Sequence, residues 1–294
     1  MTEVKKRREI LFLYDVTNNN PNGDPIDDNK PRIDQESGKN IVTDVRLKRT
    51  IRDYLLKYDK EPIFIKEEKK QNGDLVTKKE RVKNEKIEKD QDLVDRFIDI
   101  RLFGATTAIK KNTITFTGPV QFKLGTSLHK VDLTHLKGTT VSPSGTSRKQ
   151  GTFTEKYILP YSLICFYGIV NENTAKTTGL KKEDVDKMLI AIWKGTKNLS
   201  SASKIGHMPR LLVEVIYDEN DFHIGELDKT LQLQSEKDDK QIRGLGDFII
   251  DASKFKSTIE QYKDKIQKIR IKKDAKLSLY NWIEEGLTER MNLD

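Results

Sequence analysis

The chain has 294 residues, of which 35% are hydrophobic and 34% charged, with a formal net charge of +8. That length supports one large or two modest cores, and the basic balance favours polyanionic partners such as nucleic acid or an acidic membrane surface. A single cysteine, Cys165 in the apolar run YSLICFYGIV, excludes an intrachain disulfide framework and a thiolate metal cluster; a buried packing role is expected for it.

The first predicted element is a strand over residues 8–17, REILFLYDVT, which is β-branched, aromatic and mostly apolar, as a strand covered on both faces must be. Its apolar part is too short for a signal peptide or a membrane span, so a cytoplasmic protein without membrane contact is expected. NNNPNGDP ends the strand with turn chemistry. A polar loop runs to about residue 40, and a short helix follows over VTDVRLKRTIRDYL, residues 42–55, with Thr43 or Asp44 placed to cap it. Beyond residue 58, two charged and partly alternating arms flank Asn72-Gly73. That pattern reads as a hairpin forming a protruding, solvated ribbon. LVDRFIDIRLFG, residues 93–104, has the spacing of a short helix, and NTITFTGPVQFKLG, residues 112–125, reads as a second core strand kinked at Gly118-Pro119.

Residues 126–156 are poor in apolar side chains and rich in Thr, Ser, Gly and Lys. A loop of about thirty residues inside a compact domain is uncommon and points to function or disorder. KYILPYSLICFYGIV, residues 156–170, is the third strand. KKEDVDKMLIAIWKGT, residues 181–196, is an amphipathic helix with Val185, Met188, Leu189, Ile192 and Trp193 on one stripe. RLLVEVIY, residues 210–217, is the fourth strand, and two charged helices are expected near residues 254–273 and 277–290. With the two insertions set aside, the order is βαββαβ. The expected class is therefore α+β, a ferredoxin-like core of the kind shared by RNA-recognition-motif folds, with long insertions and C-terminal helices. The corresponding division is a palm of residues 1–57, 93–125 and 157–294, a finger-like hairpin insertion of residues 58–92 and a thumb-like insertion of residues 126–156.

The helix over residues 42–55 concentrates basic residues. At about 100° per residue, Leu47, Ile51, Tyr54, Leu55 and Tyr58 form an apolar arc; Lys48, Arg49 and Arg52 form a second arc beside it with Val45, and Arg46 stands off alone. Lys48 and Arg52 sit one above the other, which destabilises a helix slightly, and Asp53 gives Arg49 local relief. Either solvation or an external anion answers this charge. The basic arc borders the buried arc, and the helix start adds unpaired N–H groups, a combination suited to tracking phosphates.

LYDVTNNNPNGDP, NKPRID and GKNIVTDVRLKRTIRDYL, followed by FTGPVQFKLGTSLHKV and KYILPYSL, resemble the backbone subunit of type I CRISPR Cascade, the seventh Cas family in its Csh/Csd branch. The resemblance covers most of residues 1–217 and leans toward subtype I-B. It implies a non-catalytic subunit that polymerises head to tail along a CRISPR RNA guide, joins other Cascade subunits, and presents guide bases for pairing with the target DNA strand. It also implies guide-backbone contacts from Thr43, Lys48, Arg52 and Arg49, with Asn22 and Arg32 in the preceding loop. In the thumb it nominates Arg148 and Lys149 for phosphates and Phe153 as a wedge between bases. A core position is the alternative for Phe153, with Leu133 and Leu136 as alternative wedges. SSASKIGH, residues 200–207, offers Lys204 and His207, the latter with a structural role as its alternative.

No phosphate-binding P-loop is present, and Gly244-Leu245-Gly246 lacks the third glycine of a dinucleotide fingerprint. HExxH and GxSxG are absent, and no cofactor or metal site is expected. One catalytic alternative survives. Asp15, Asp24, Asp27, Asp28 and Asp34 crowd the first loop and its flanks, and clustered carboxylates could hold Mg2+ for RNA cleavage, as in backbone subunits of type III complexes. Turn chemistry is the competing account of these aspartates.

Overall fold

The computed structural model describes residues 2–109, 112–139, 153–283 and 288–293. The first apolar run forms β1 (Arg8–Asn19), buried without interruption from Arg8 to Val16. Its exit carries a two-strand turn, β2 (Gly23–Asp24) with β3 (Lys30–Pro31), after which β4 (Lys39–Val42) leads into α1 (Asp44–Lys57). Three short helices follow, α2 (Lys78–Asn84), α3 (Asp90–Arg96) and α4 (Ile98–Phe103), then a hairpin of β5 (Gly104–Ile109) and β6 (Asn112–Thr117). The chain returns through β7 (Val120–Phe122), β8 (Gly125–Lys130) and β9 (Thr134–Thr139) to the long β10 (Phe153–Val170). Next come α5 (Glu172–Thr178), α6 (Lys182–Lys197) and β11 (Met208–Tyr217). The C-terminal part adds β12 (Gln232–Gln234), β13 (Ile249–Asp251), α7 (Ser253–Gln261), β14 (Ile266–Lys273), β15 (Leu279–Tyr280) and β16 (Thr288–Arg290).

The main sheet runs β16-β14-β11-β1-β10-β8-β4, with β7 and β9 also on β10. β1 is antiparallel to both neighbours, so that Phe12 faces Phe166 on one side and Leu212 on the other. Taking β1, α1, β7, β10, α6 and β11 in chain order gives the expected βαββαβ sequence with the first and third strands central, a mixed α+β split βαβ arrangement. Successive strand residues point to opposite faces. Ile10, Phe12 and Tyr14 pack on Leu47, Ile51 and Leu55 of α1 and on Met188, Leu189 and Ile192 of α6. Leu11 and Leu13 pack on the other face with Phe248, Ile250, Phe255 and Ile259 of the C-terminal layer. No helix among the described residues is long and apolar enough to cross a membrane.

Several sequence expectations need correction. The two C-terminal helices reduce to α7; residues 266–273 are instead a strand paired antiparallel with β11. Ile269 and Ile271 alternate inward between lysines and arginines, a period of two that the high charge obscured. Residues 112–125 form two strands on different sheets, divided at Gly118, where a Cβ would lie 2.0 Å from the Phe103 backbone. Residues 93–104 break at Phe97 into α3 and α4. Residues 126–156 include β8, β9 and the start of β10.

The ribbon around Asn72-Gly73 is also different. Its arms share only one bridge, Lys69 to Leu75, and the segment folds into a lobe with its own core of Phe64, Val82, Ile87, Leu93, Phe97 and Ile100. Reciprocal capping by Thr77 and Glu80 starts α2. Buried charge joins this lobe to the sheet. Asp99 is fully buried and accepts from the Phe64 and Ile65 amides at 2.8 and 2.9 Å and from Arg52 Nε at 3.0 Å. Arg101 meets Asp184, at the start of α6, through two bonds of 2.8 and 2.9 Å. Truncating one member of a buried pair strands the other. Asp99→Ala is therefore expected to lower unfolding free energy by about 3–5 kcal/mol in urea titrations. Glu67→Ala, which removes a half-exposed partner of Arg49, should stay within about 0.5 kcal/mol.

Candidate nucleic-acid interface

Sheets that read RNA do so through a face bearing exposed aromatic side chains. Here α1 and α6 cover one face and residues 227–283 cover the other, so a ligand must be met at the rim. The rim of interest lies where the β1 exit loop, α1 and the loop after α6 converge.

The loop and the helix start are tied together. Thr43 occupies the N-cap position with extended backbone, but its side chain does not cap α1. Its amide and hydroxyl both donate to Asn22 Oδ1, at 2.9 and 2.8 Å. Arg32 donates to the carbonyls of Asn22 and Gly23, at 3.2 and 2.7 Å, and faces Asp24 at 3.5 Å. Three residues nominated from sequence thus form one connected scaffold.

The nominated basic arc meets internal carboxylates. Lys48 is 9% exposed and donates to Asp44 and Gln121, at 3.0 and 3.1 Å. Arg52 pairs with Asp99. Both cations lie over the Phe103 ring, 5.7 and 5.0 Å from its centroid, in cation–π geometry. Arg49 is exposed and reaches Asp53 and Glu67, at 3.3 and 3.2 Å.

Arg46, which stood apart on the helical wheel, has no such partner. It donates to Thr50 Oγ1 at 2.9 Å, and burial pushes its basicity down. Across from it, Lys204 donates to the Asn20 carbonyl; burial and then the Arg46 charge lower its pKa to about 8. His207 is 2% exposed, packs 5.7 Å from the Tyr14 ring and has no partner for Nε2. Burial, then Lys204 and Arg46, hold its pKa down at about 3, so its ring is neutral at physiological pH.

Arg46, Arg49, Lys57 and Lys204 line a cavity of about 430 Å3 between α1 and the loop after α6, with Asp53 as its one carboxylate. Among the described residues, neither Arg46, Lys57 nor Lys204 lies in ion-pair contact with an acid. Asn198, Ser200, Ser201 and Ser203 add polar groups to its wall. Gly195 lets α6 approach closely, since a Cβ there would stand 3.1 Å from Tyr54. The cavity offers several cations and hydroxyl donors to an anion that arrives with its own hydration to lose; His207 is buried outside its lining.

Of the residues nominated from sequence, Arg49 and Lys204 line this cavity and His207 does not; Arg46 and Lys57 line it without having been nominated. A usable signal existed: Lys48 has Asp44 four residues before it and Arg49 has Asp53 four after it, whereas Arg46 has Val42 and Thr50. Arg148 and Lys149 lie outside the described residues, and Phe153 opens β10 opposite Thr139. Leu133 and Leu136 are partly exposed, at 39% and 46%.

A phosphate seated beside Lys204 would restore its ordinary basicity, so binding takes up a proton above about pH 8. Affinity for a single-stranded 2′-O-methyl oligomer is expected to fall by up to about tenfold per pH unit above that pH. Fluorescence anisotropy at fixed ionic strength reads this, and Lys204→Arg should flatten the profile.

Comparison with known proteins places this geometry in context. The family described as "CRISPR-associated protein Cas7" matches residues 6–253. A CRISPR-associated protein Cas7 of Haloferax volcanii is 32% identical over 305 aligned positions, covering 93% of this chain and 88% of the relative. Among solved structures, a chain of a "CRISPR RNA-guided surveillance complex, pre-nicking" superposes with a TM-score of 0.55 at 13% identity, over 94% of this chain and 96% of that one. A second chain, from a "CRISPR RNA-guided surveillance complex", gives 0.52 at 14% identity, with 96% of each chain covered.

Proposed function

The chain belongs to the CRISPR-associated Cas7 family, and from that premise we propose that it is a non-catalytic RNA-binding backbone subunit of a type I Cascade surveillance complex, here of subtype I-B. The observation that carries this reading is the set of cations around the α1 cavity, of which Arg46, Lys57 and Lys204 have no ion-pair partner among the described residues. Arg46, Lys57 and Lys204 would grip the sugar-phosphate chain of the guide, with Arg49 at the outer edge. Asn22, Arg32 and Thr43 hold the loop that borders the site; Lys48 and Arg52 set the position of α1 through Asp44, Gln121 and Asp99. Backbone contacts position a strand without reading its bases, so the bases stay open to pair with the target DNA strand.

Further copies of the chain would follow head to tail along the same guide, with other Cascade subunits at the ends, in a cytoplasmic particle without membrane contact. We assign the finger-like residues 58–92 and the thumb-like residues 126–156 to these junctions, with Arg148, Lys149 and Phe153 meeting the guide of a neighbouring segment.

The acidic residues of the first loop have partners within the chain. Asp15 is buried against Arg210 and Tyr161, Asp24 faces Arg32, Asp27 binds Lys30, and Asp34 accepts from the Ser37 amide. Among the described residues no group of three potential metal ligands converges. These contacts support turn and scaffold roles over a type III-like, Mg-dependent ribonuclease.

Two experiments test the reading. The Arg46→Ala, Lys204→Ala double variant should weaken binding of single-stranded RNA similarly for all sequences. It should also lower the log–log salt slope by about 0.7 per cation removed. An unchanged slope in a folded double variant would remove this cavity from the guide path. Labelled RNA incubated with the protein and Mg2+ should remain intact; a cut abolished by Asp24→Ala would establish the nuclease instead.

A further inference from the structure

The α1 cavity has an aromatic wall that phosphate binding does not use. Tyr54 and Tyr58 stand one turn apart at the end of α1, with ring centroids 4.8 Å apart and planes 20° from parallel. Tyr54 is 8% exposed and braced against the core, whereas Tyr58 is 56% exposed. The pair is thus a stack with one member fixed and the other open. Tyr58 ends the helix, and its amide donates to the Tyr54 carbonyl at 2.9 Å, which fixes the backbone that carries the ring. Tyr58 shares its cavity with Arg46, Lys57 and Lys204. At about 430 Å3 the space lies within the range of roughly 300–1,000 Å3 typical of sites that enclose a small organic group.

An exposed ring beside unpaired cations suits a ligand that is planar at one end and anionic at the other. An apolar peptide fits poorly, because Leu199 is the one aliphatic side chain of the wall and most of the rest is hydroxyl, amide or charge. A nucleotide of a single strand fits both parts, since every base offers a face to an aromatic ring while its phosphate meets the cations. We propose that Tyr58 is a base-stacking platform that holds one unpaired base of the bound RNA against the end of α1, extending the Tyr54–Tyr58 stack by a third ring. The proposal rests on the RNA-binding reading above. It adds a sequence-tolerant contact that pins the register of the strand on each subunit, which phosphate contacts alone leave free to slide.

The test compares a uridine oligomer with an abasic ribose-phosphate oligomer of equal length, using the full chain. Tyr58→Ala is expected to weaken the uridine oligomer roughly tenfold, as loss of one aromatic stack does, while leaving the abasic oligomer unchanged. Tyr58→Trp should restore the difference. A 2-aminopurine placed along the strand should be quenched at one position in the wild type and released by Tyr58→Ala. If Tyr58→Ala weakens both oligomers equally, or neither, while Arg46→Ala weakens both, stacking is overturned and the cation site stands. If Arg46→Ala weakens neither oligomer, the cavity is not an RNA site and both readings fall. Circular dichroism and thermal melting confirm that each variant is folded before its affinity is read.

Discussion

The central sheet is buried on both faces, and the polar groups within it must therefore find partners inside the protein. Glu9, in the middle of this constraint, is fully buried and among the described residues has no ion-pair partner. It accepts instead from the Tyr167 and Tyr217 hydroxyls and from the amides of Ile224 and Gly225, at 3.0 and 2.9 Å. Asp15 meets Arg210 at 2.9 Å and Tyr161 at 3.0 Å, and Arg210 continues to Asp274. Arg8 and Arg270 share Glu214. These networks fasten the C-terminal layer to the strands it covers. An α+β sheet that elsewhere would present aromatic rings to RNA is closed on that side, and the proposed recognition surface lies instead at the end of β1 and the flank of α1.

That displacement explains how α1 sorts its charges. Lys48 and Arg52 lie close to the apolar seam and are desolvated, so each requires a carboxylate within the chain, and Asp44 and Asp99 provide it. Their contribution is geometric. Through Asp99 the helix is tied to the first residues of the finger lobe, and through Asp184 and Arg101 the lobe is tied to α6. Arg49, out in solvent, has weak partners that cost little to exchange. Arg46 and Lys204 are partly buried without an ion-pair partner among the described residues, Arg46 having only the field of Asp53, which is an unfavourable arrangement for a free protein and a prepared one for a polyanion.

The parts of this fold that were legible from sequence are those where burial dictates composition. β1, β10, β11 and α6 must fill two packed layers, and their apolar runs or stripes show it plainly. The finger lobe was obscured because its core residues are widely spaced: the short run around Phe64 is followed by Val82 and Ile87, each standing singly among charged residues. Strand β14 was obscured for a related reason: lysine and arginine alternating with its buried residues resemble a charged helix until the alternation of Ile269 and Ile271 is counted. For the candidate site, sequence pointed to α1 and the loop after α6, which the structure brings together. It then favoured cations by their clustering, whereas the structure distinguishes them by what lies four residues away and by which carboxylate folds in from another segment. The pairing of Arg52 with Asp99 spans 47 positions, and no local pattern announces it.

The electrostatics of the α1 cavity have a consequence for the protein as a whole. Lys204 has a folded-state pKa of about 8, below the ordinary lysine value of 10.5. Between those values the unfolded chain binds more protons than the folded one, so this group favours folding increasingly as pH rises through that window. Below about pH 8 the penalty is fully present, because a charged ammonium is held beside Arg46 and away from water. A phosphate that approaches both groups removes that penalty, and its binding energy appears as stabilisation of the folded chain.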